Sequence, residues 1–124
     1  MDQKILVTAG HELIRLLRER NINIKAALWF YNTDIDAWRL WLVPDVSIKD
    51  KHSFYRNISE ILSGHKELTL CIEVSDTEMI TEKHPAIKAL QGMFKVTDRS
   101  SITIDNSMLN GFYLPKAIVI EYDI

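Results

Sequence analysis

With a single cysteine, Cys71, the chain cannot form an intramolecular disulfide, and its place in the apolar run Leu68-Thr69-Leu70-Cys71-Ile72 fits a reducing compartment. Glycine is scarce, with 4 in 124 residues, and none forms a glycine-rich turn after an expected strand, which excludes a dinucleotide-binding βαβ unit. No apolar run approaches the ~20 residues that cross a bilayer. The N-terminus lacks the basic region, apolar core and small-residue cleavage site of a secretory leader, so a soluble cytoplasmic protein without a membrane segment is expected. Charge of one sign is missing too: 15 basic residues face 17 acidic ones, a net charge of −2, which disfavours binding to a nucleic-acid backbone. Internal repeats, low-complexity tracts and linkers are absent, and the length suits one domain, residues 1–124.

Aromatic residues are gathered where the sequence is richest. Ile24 to Pro44 carries all three tryptophans and reads as a β-hairpin, two aromatic and branched runs around the polar insert Asn32-Thr33-Asp34-Ile35-Asp36, whose length suits a loop of four or five residues. Along the first strand Ile24, Ala26, Leu28 and Phe30 alternate with Lys25, Ala27, Trp29 and Tyr31. Along the second, Trp38, Leu40 and Leu42 alternate with Arg39, Trp41 and Val43. The sets holding Lys25 and Arg39 are expected to turn away from the core. Trp29, Tyr31 and Trp41 then stand beside Arg39 on an outer face, where large aromatics need a covering segment or a partner.

Before the hairpin, residues 2–21 have the period of an amphipathic helix, with Asp2 as N-cap and Asn21 near its end. Leu6, Leu13 and Leu17 centre its apolar stripe, while Lys4, His11, Glu12, Arg15, Arg18 and Glu19 fall opposite. After Pro44-Asp45, a second helix is expected from Ser47 or Asp50 to Ser63, with a capping box at Ser47-Asp50 and Gly64 just past its end. Leu68–Ser75 alternates as a third strand. Residues 76–83 read as a polar connection anchored at Met79-Ile80, and Pro85 opens a short third helix through Ile87, Leu90 and Phe94. The remainder is β-like: residues 101–105, a turn at Asn110-Gly111, Phe112–Leu114, and Ala117–Asp123 after Pro115-Lys116. The order predicts an α+β fold, a mainly antiparallel four- to five-stranded sheet with about three helices mostly on one face. Gly10, amid apolar residues, reads as a site of close packing.

Chemistry is harder to find. His11-Glu12 begins like a zinc-protease motif, but Arg15 stands where the second ligand is needed. His11, His52, His65 and His84 show no metal-ligand spacing, and each is expected at the surface. Asp34 and Asp36 form a D-x-D, a spacing that turns commonly use for their own geometry. A metal-dependent nuclease or phosphoesterase, the alternative reading, would draw on Asp34, Asp36, Asp45 and Glu73. The lysine two residues beyond the acid, which puts both on one phosphate, is missing, because Val74 and Ser75 follow Glu73. Cys71 paired with a distant histidine is a further nucleophile candidate, although a lone cysteine in an apolar strand serves as a small core residue. No enzyme, metal or cofactor is therefore expected.

The outer aromatic face carries the functional expectation. Trp29, Tyr31, Arg39 and Trp41 are residue types that dominate protein interfaces, which points to a protein-interaction or self-association module, a homodimer included. The competing expectation is that Phe112-Tyr113-Leu114 folds over that face. The run Ala27-Leu-Trp-Phe-Tyr-Asn followed by Ala37-Trp-Arg-Leu, after a helix ending near Arg20-Asn21, resembles a group of small, functionally uncharacterised bacterial proteins with a helix and then an aromatic hairpin. In that group the second strand runs on into a Ser-Pro segment, whereas here it ends Leu40-Trp-Leu-Val-Pro-Asp. The resemblance covers about the first third of the chain and implies a bacterial source and the same α+β arrangement, with no site residues.

Overall fold

The computed structural model describes residues 3–45, 48, 50–69, 72–109 and 111–124. Helix α1, Gln3–Glu19, closes through the asparagine expected near its end. Asn21 takes φ 64, its N–H donates to Arg18 O, and the Ile22 N–H donates back to Leu17 O at 3.0 Å, so two otherwise orphaned carbonyls are satisfied. Strands β1, Ile24–Asn32, and β2, Ala37–Pro44, form the hairpin. Helix α2, Lys51–Gly64, is capped by Asp50, whose carboxylate accepts from the His52 N–H at 3.0 Å. Gly64 is its last residue and not the position beyond it. Asp2 and Ser47, the other expected caps, lie outside the described residues.

The strand expected over Leu68–Ser75 is displaced. The Leu68 and Thr69 N–H groups and the Thr69 hydroxyl all donate to His65 O, closing a turn after α2. Glu73 and Asp76 then close a reciprocal capping box around a 3-10 turn, Val74–Asp76. These local bonds take the backbone groups that a ladder would use. The strand forms later, as β3, Thr77–Met79, inside what reads as a polar connection, with Met79 and Ile80 buried as its anchor. Leu70 and Cys71 lie outside the described residues.

Helix α3, Pro85–Leu90, starts on the expected proline. Strand β4, Ile102–Leu109, is longer than the sequence suggests, and β5, Phe112–Tyr122, runs through Pro115 without a break. Proline is tolerated there because no pair forms between Asn106 and Pro115, although Asp105↔Lys116 and Ser107↔Leu114 pair on either side, and Asn106 takes φ 42.

The sheet has the order β3-β2-β1-β5-β4, antiparallel except for β2 with β3, so the α+β, mainly antiparallel expectation holds. Both faces are packed. Leu13, Leu17, Phe54 and Ile58 of α1 and α2 bury against Trp29, Leu40, Leu42 and Ile118 on one face. On the other, Ile80, Ile87, Leu90 and Val96 cover Leu28, Trp41, Val43 and Val119. Gly10 does permit close packing: a Cβ there would lie 2.5 Å from Ile120 Cδ1 and 3.1 Å from Trp29 Nε1. Among the described residues no helix is long and apolar enough to cross a membrane.

Leu13 and Leu17 are fully buried, so either leucine replaced by alanine is expected to destabilise the fold by about 2–5 kcal/mol in denaturant unfolding. A cost below about 1 kcal/mol would mean that α1 is not held by this face.

Candidate functional site

The hairpin register decides where the four expected surface residues go. Asn32 pairs with Ala37 across the turn 33–36, so Trp29 is opposite Leu40, Leu28 opposite Trp41, Phe30 opposite Arg39 and Tyr31 opposite Trp38. Side chains directly opposite share a face. Trp29 and Tyr31 therefore lie on the α1 side, and Arg39 and Trp41 on the α3 side. The expected outer face required five loop residues; a loop one residue shorter exchanges the two faces of β2 relative to β1.

Neither of these two tryptophans is a free surface residue. Trp29 is 1% exposed under α1, where its Nε1–H donates to Leu6 O at 2.8 Å. Trp41 is 9% exposed. It stacks on Phe30 at 4.4 Å between ring centroids and lies 4.9 Å from the His84 ring, which in turn meets Phe112 edge-on. Phe112 and Leu114 pack into the same cluster, so the C-terminal hairpin does cover part of this face. Strict alternation from Ala117 would send Leu114 to the α1 side; the break in pairing at Asn106 and Pro115 turns the hairpin over.

Cover thins toward the turn. Phe30, Tyr31, Trp38 and Arg39 are all only half-buried, whereas the other ends of both strands are almost wholly enclosed. On the α1 side Tyr31 and Trp38 meet edge-to-face at 5.2 Å, and the Lys116 ammonium lies 5.8 Å from the Trp38 ring centroid. On the α3 side, Arg39 takes part in no ion pair among the described residues, and its Nε is shielded from solvent without a hydrogen-bond partner. A cation flanked by Phe30 and Trp41 is thus left with an unmet donor.

The acidic candidates are dispersed. Asp34 and Asp36 sit in the turn, with the Asp34 N–H donating to Asn32 Oδ1. Asp45 is at the far end of β2, and Glu73 caps the 3-10 turn. Among the described residues no three side chains of histidine, cysteine, aspartate or glutamate gather as a metal site would need. Cys71 lies outside them. His52 and His65 are exposed as expected, but His11 is buried at 6% exposure, its Nε2 3.0 Å from both Ser100 O and Ile120 O. Since carbonyls only accept, the proton sits on Nε2, and this histidine ties α1 to β5.

Phe30 and Trp38 join the site without having been singled out in the sequence, His84 joins it although expected at the surface, and Phe112 arrives with the expected covering segment. The register was the missing signal for the first two, and Pro85 at the first helical position marks His84 as the residue before it. His84 caps α3: its Nδ1 accepts from the Ala86 N–H at 3.1 Å. The ring is half-buried, and burial pushes its pKa down, against the opposing pull of Glu78.

The unfolded chain, whose histidine titrates near ~6.5, takes up a proton before the folded one does. Stability should therefore fall as the pH drops below about 6.5, and continue to fall down to the lowered folded-state value. In His84→Ser, which keeps a capping oxygen but does not titrate there, the slope of melting temperature between about pH 7 and 5 should flatten; an unchanged slope would assign it elsewhere. Trp29→Ala and Trp41→Ala should each cost about 3–5 kcal/mol in denaturant unfolding, as deletions of core aromatics. A cost near zero for either would return that ring to the surface. The chain matches no protein-family model, no curated protein and no solved structure, so any role for this end of the sheet is argued from its own side chains.

Proposed function

We propose that the protein is a small cytoplasmic interaction module that docks a partner protein, a second copy of itself included, on the α3-side patch at the turn end of the β1–β2 hairpin. The observation that carries this reading is Arg39, a half-buried guanidinium flanked by aromatic rings, with its Nε shielded and unpartnered. The terminal guanidinium nitrogens are not shielded in this way, and a partner's carboxylate would pair with them bidentately. Arginine beside aromatic rings is also the composition of interface hot spots, where a fairly rigid, amphipathic surface buries area with little ordering cost. The ring series Phe30, Trp41, His84, Phe112 extends from Arg39 as a continuous floor. In a second copy, Asp34 of the exposed turn offers a matching carboxylate.

Sedimentation equilibrium of the wild type and of Arg39→Ala tests the reading. The wild type should associate with increasing concentration, more weakly at high salt. Arg39→Ala should lose about 2 kcal/mol or more of association energy while its melting temperature stays at or above that of the wild type. A wild type that remains monomeric at every concentration would defeat the self-association form of the proposal.

A further inference from the structure

On the opposite face of the same hairpin end lies a cavity of ≈ 380 Å³, bounded by Leu6 in the first turns of α1, by Trp29, Tyr31, Trp38 and Asp36 of the hairpin, and by Asp76 of the 3-10 turn. We infer that this cavity is a receptor for a methylated ammonium group, held against the Trp38 and Tyr31 rings and between the carboxylates of Asp36 and Asp76. The site is distinct from the Arg39 patch, and its ligand does not depend on a partner docking there.

Two features specify an organic cation. The first is the wall: Tyr31 and Trp38 meet at 65°, so two electron-rich ring systems border one concavity, the arrangement that attracts a cation electrostatically while covering its apolar methyls. The second is charge. Among the described residues no basic side chain lines the cavity, and neither Asp36 nor Asp76 takes part in an ion pair. Asp76 uses Oδ2 to accept from the Glu73 N–H, which leaves its other oxygen uncommitted. The nearby N-terminal end of α1 contributes about half a positive charge, less than the two full negative charges of the carboxylates. Lys116, which is not among the lining residues, places its ammonium 5.8 Å from the Trp38 centroid, and this single positive charge opposes but does not cancel the two carboxylates.

Other cations fit less well. A divalent metal ion demands about six oxygen ligands, and aromatic walls cannot replace its hydration shell. An unmethylated ammonium would bond to the two carboxylates, but it is strongly hydrated and brings no methyl groups to the Tyr31 and Trp38 faces. A quaternary ammonium brings those methyls and has no N–H donor to satisfy. It reaches the protein from two sources, a free choline-like molecule or a trimethylated lysine on another chain, and the shared chemistry is the quaternary nitrogen.

The test is a titration of the full chain, followed by the Trp38 indole resonance and by tryptophan fluorescence. The ligands are choline, a neutral peptide bearing one trimethyl-lysine, and 3,3-dimethylbutan-1-ol, the uncharged carbon isostere of choline. At least one quaternary ligand should bind about tenfold or more tightly than the isostere, and the tighter of the two identifies the source. Trp38→Leu should reduce that affinity by about tenfold. Asp36→Asn should weaken it several-fold without lowering the melting temperature, since asparagine accepts the positive φ of 50 at this position. If Trp38→Leu fails to fold, Tyr31→Leu takes its place. Equal binding of choline and its isostere, or no response to either cation, overturns the inference; neither result bears on the association measured through Arg39.

Discussion

The central strand β1 is buried on both of its faces, and most of the architecture follows from that requirement. Its alternating side chains include Leu28 and Trp29, each almost wholly enclosed and each pointing into a different cluster. A sheet with such a strand at its middle needs two covering layers, and the chain supplies them unequally. Helices α1 and α2 form the larger one, whereas α3 and the segment around Ile80 and Val96 form the thinner one. The thinner layer depends on polar fastenings at its margins, including the Tyr122 hydroxyl donating to Ile87 O at 2.6 Å and the reciprocal backbone bonds between Val96 and Tyr122.

Close approach on the α1 side rests on a small number of contacts. Gly10 lets the helix sit on Ile120, Trp29 donates to the Leu6 carbonyl, and His11 bonds to β5 from the same stretch of helix. Arg18 adds an ion pair at 3.1 Å to Glu121, a carboxylate that is otherwise buried. By contrast, the pairs of Arg15 with Glu12 and Glu19 lie at the surface, where screening leaves them worth little, and they mark the solvent edge of the helix without holding it.

Periodicity made the helices legible. The stripe through Leu6, Leu13 and Leu17 shows in the helical period, the asparagine at position 21 and Asp50 before α2 act through bonds made within a few residues, and Pro85 opens α3 through its fixed φ. What the sequence did not reveal depended on parity or on competition. Whether the hairpin loop holds four or five residues cannot be read from Asn32-Thr33-Asp34-Ile35-Asp36, yet that one residue separates Trp29 from Trp41 by the full thickness of the sheet. The alternating run from Leu68 lost to side chains that bond to their own backbone. His11 reads as polar-face and is buried, because its ring reaches carbonyls of β5 and the Ser100 turn that lie far away in sequence.

The sheet order has a kinetic meaning as well. The two antiparallel hairpins, β1–β2 and β4–β5, are each local in sequence, but the seam that joins them pairs residues 26–30 with residues 117–122. Loop-closure entropy must be met before that seam contributes anything, so both hairpins can form early while the union between them comes late. During synthesis β1 waits for the last strand, with one edge unpaired and with Trp29 and Leu28 without their Ile118 and Val119 neighbours. Vulnerability to misassociation is therefore concentrated in the interval between the emergence of the first hairpin and that of β5.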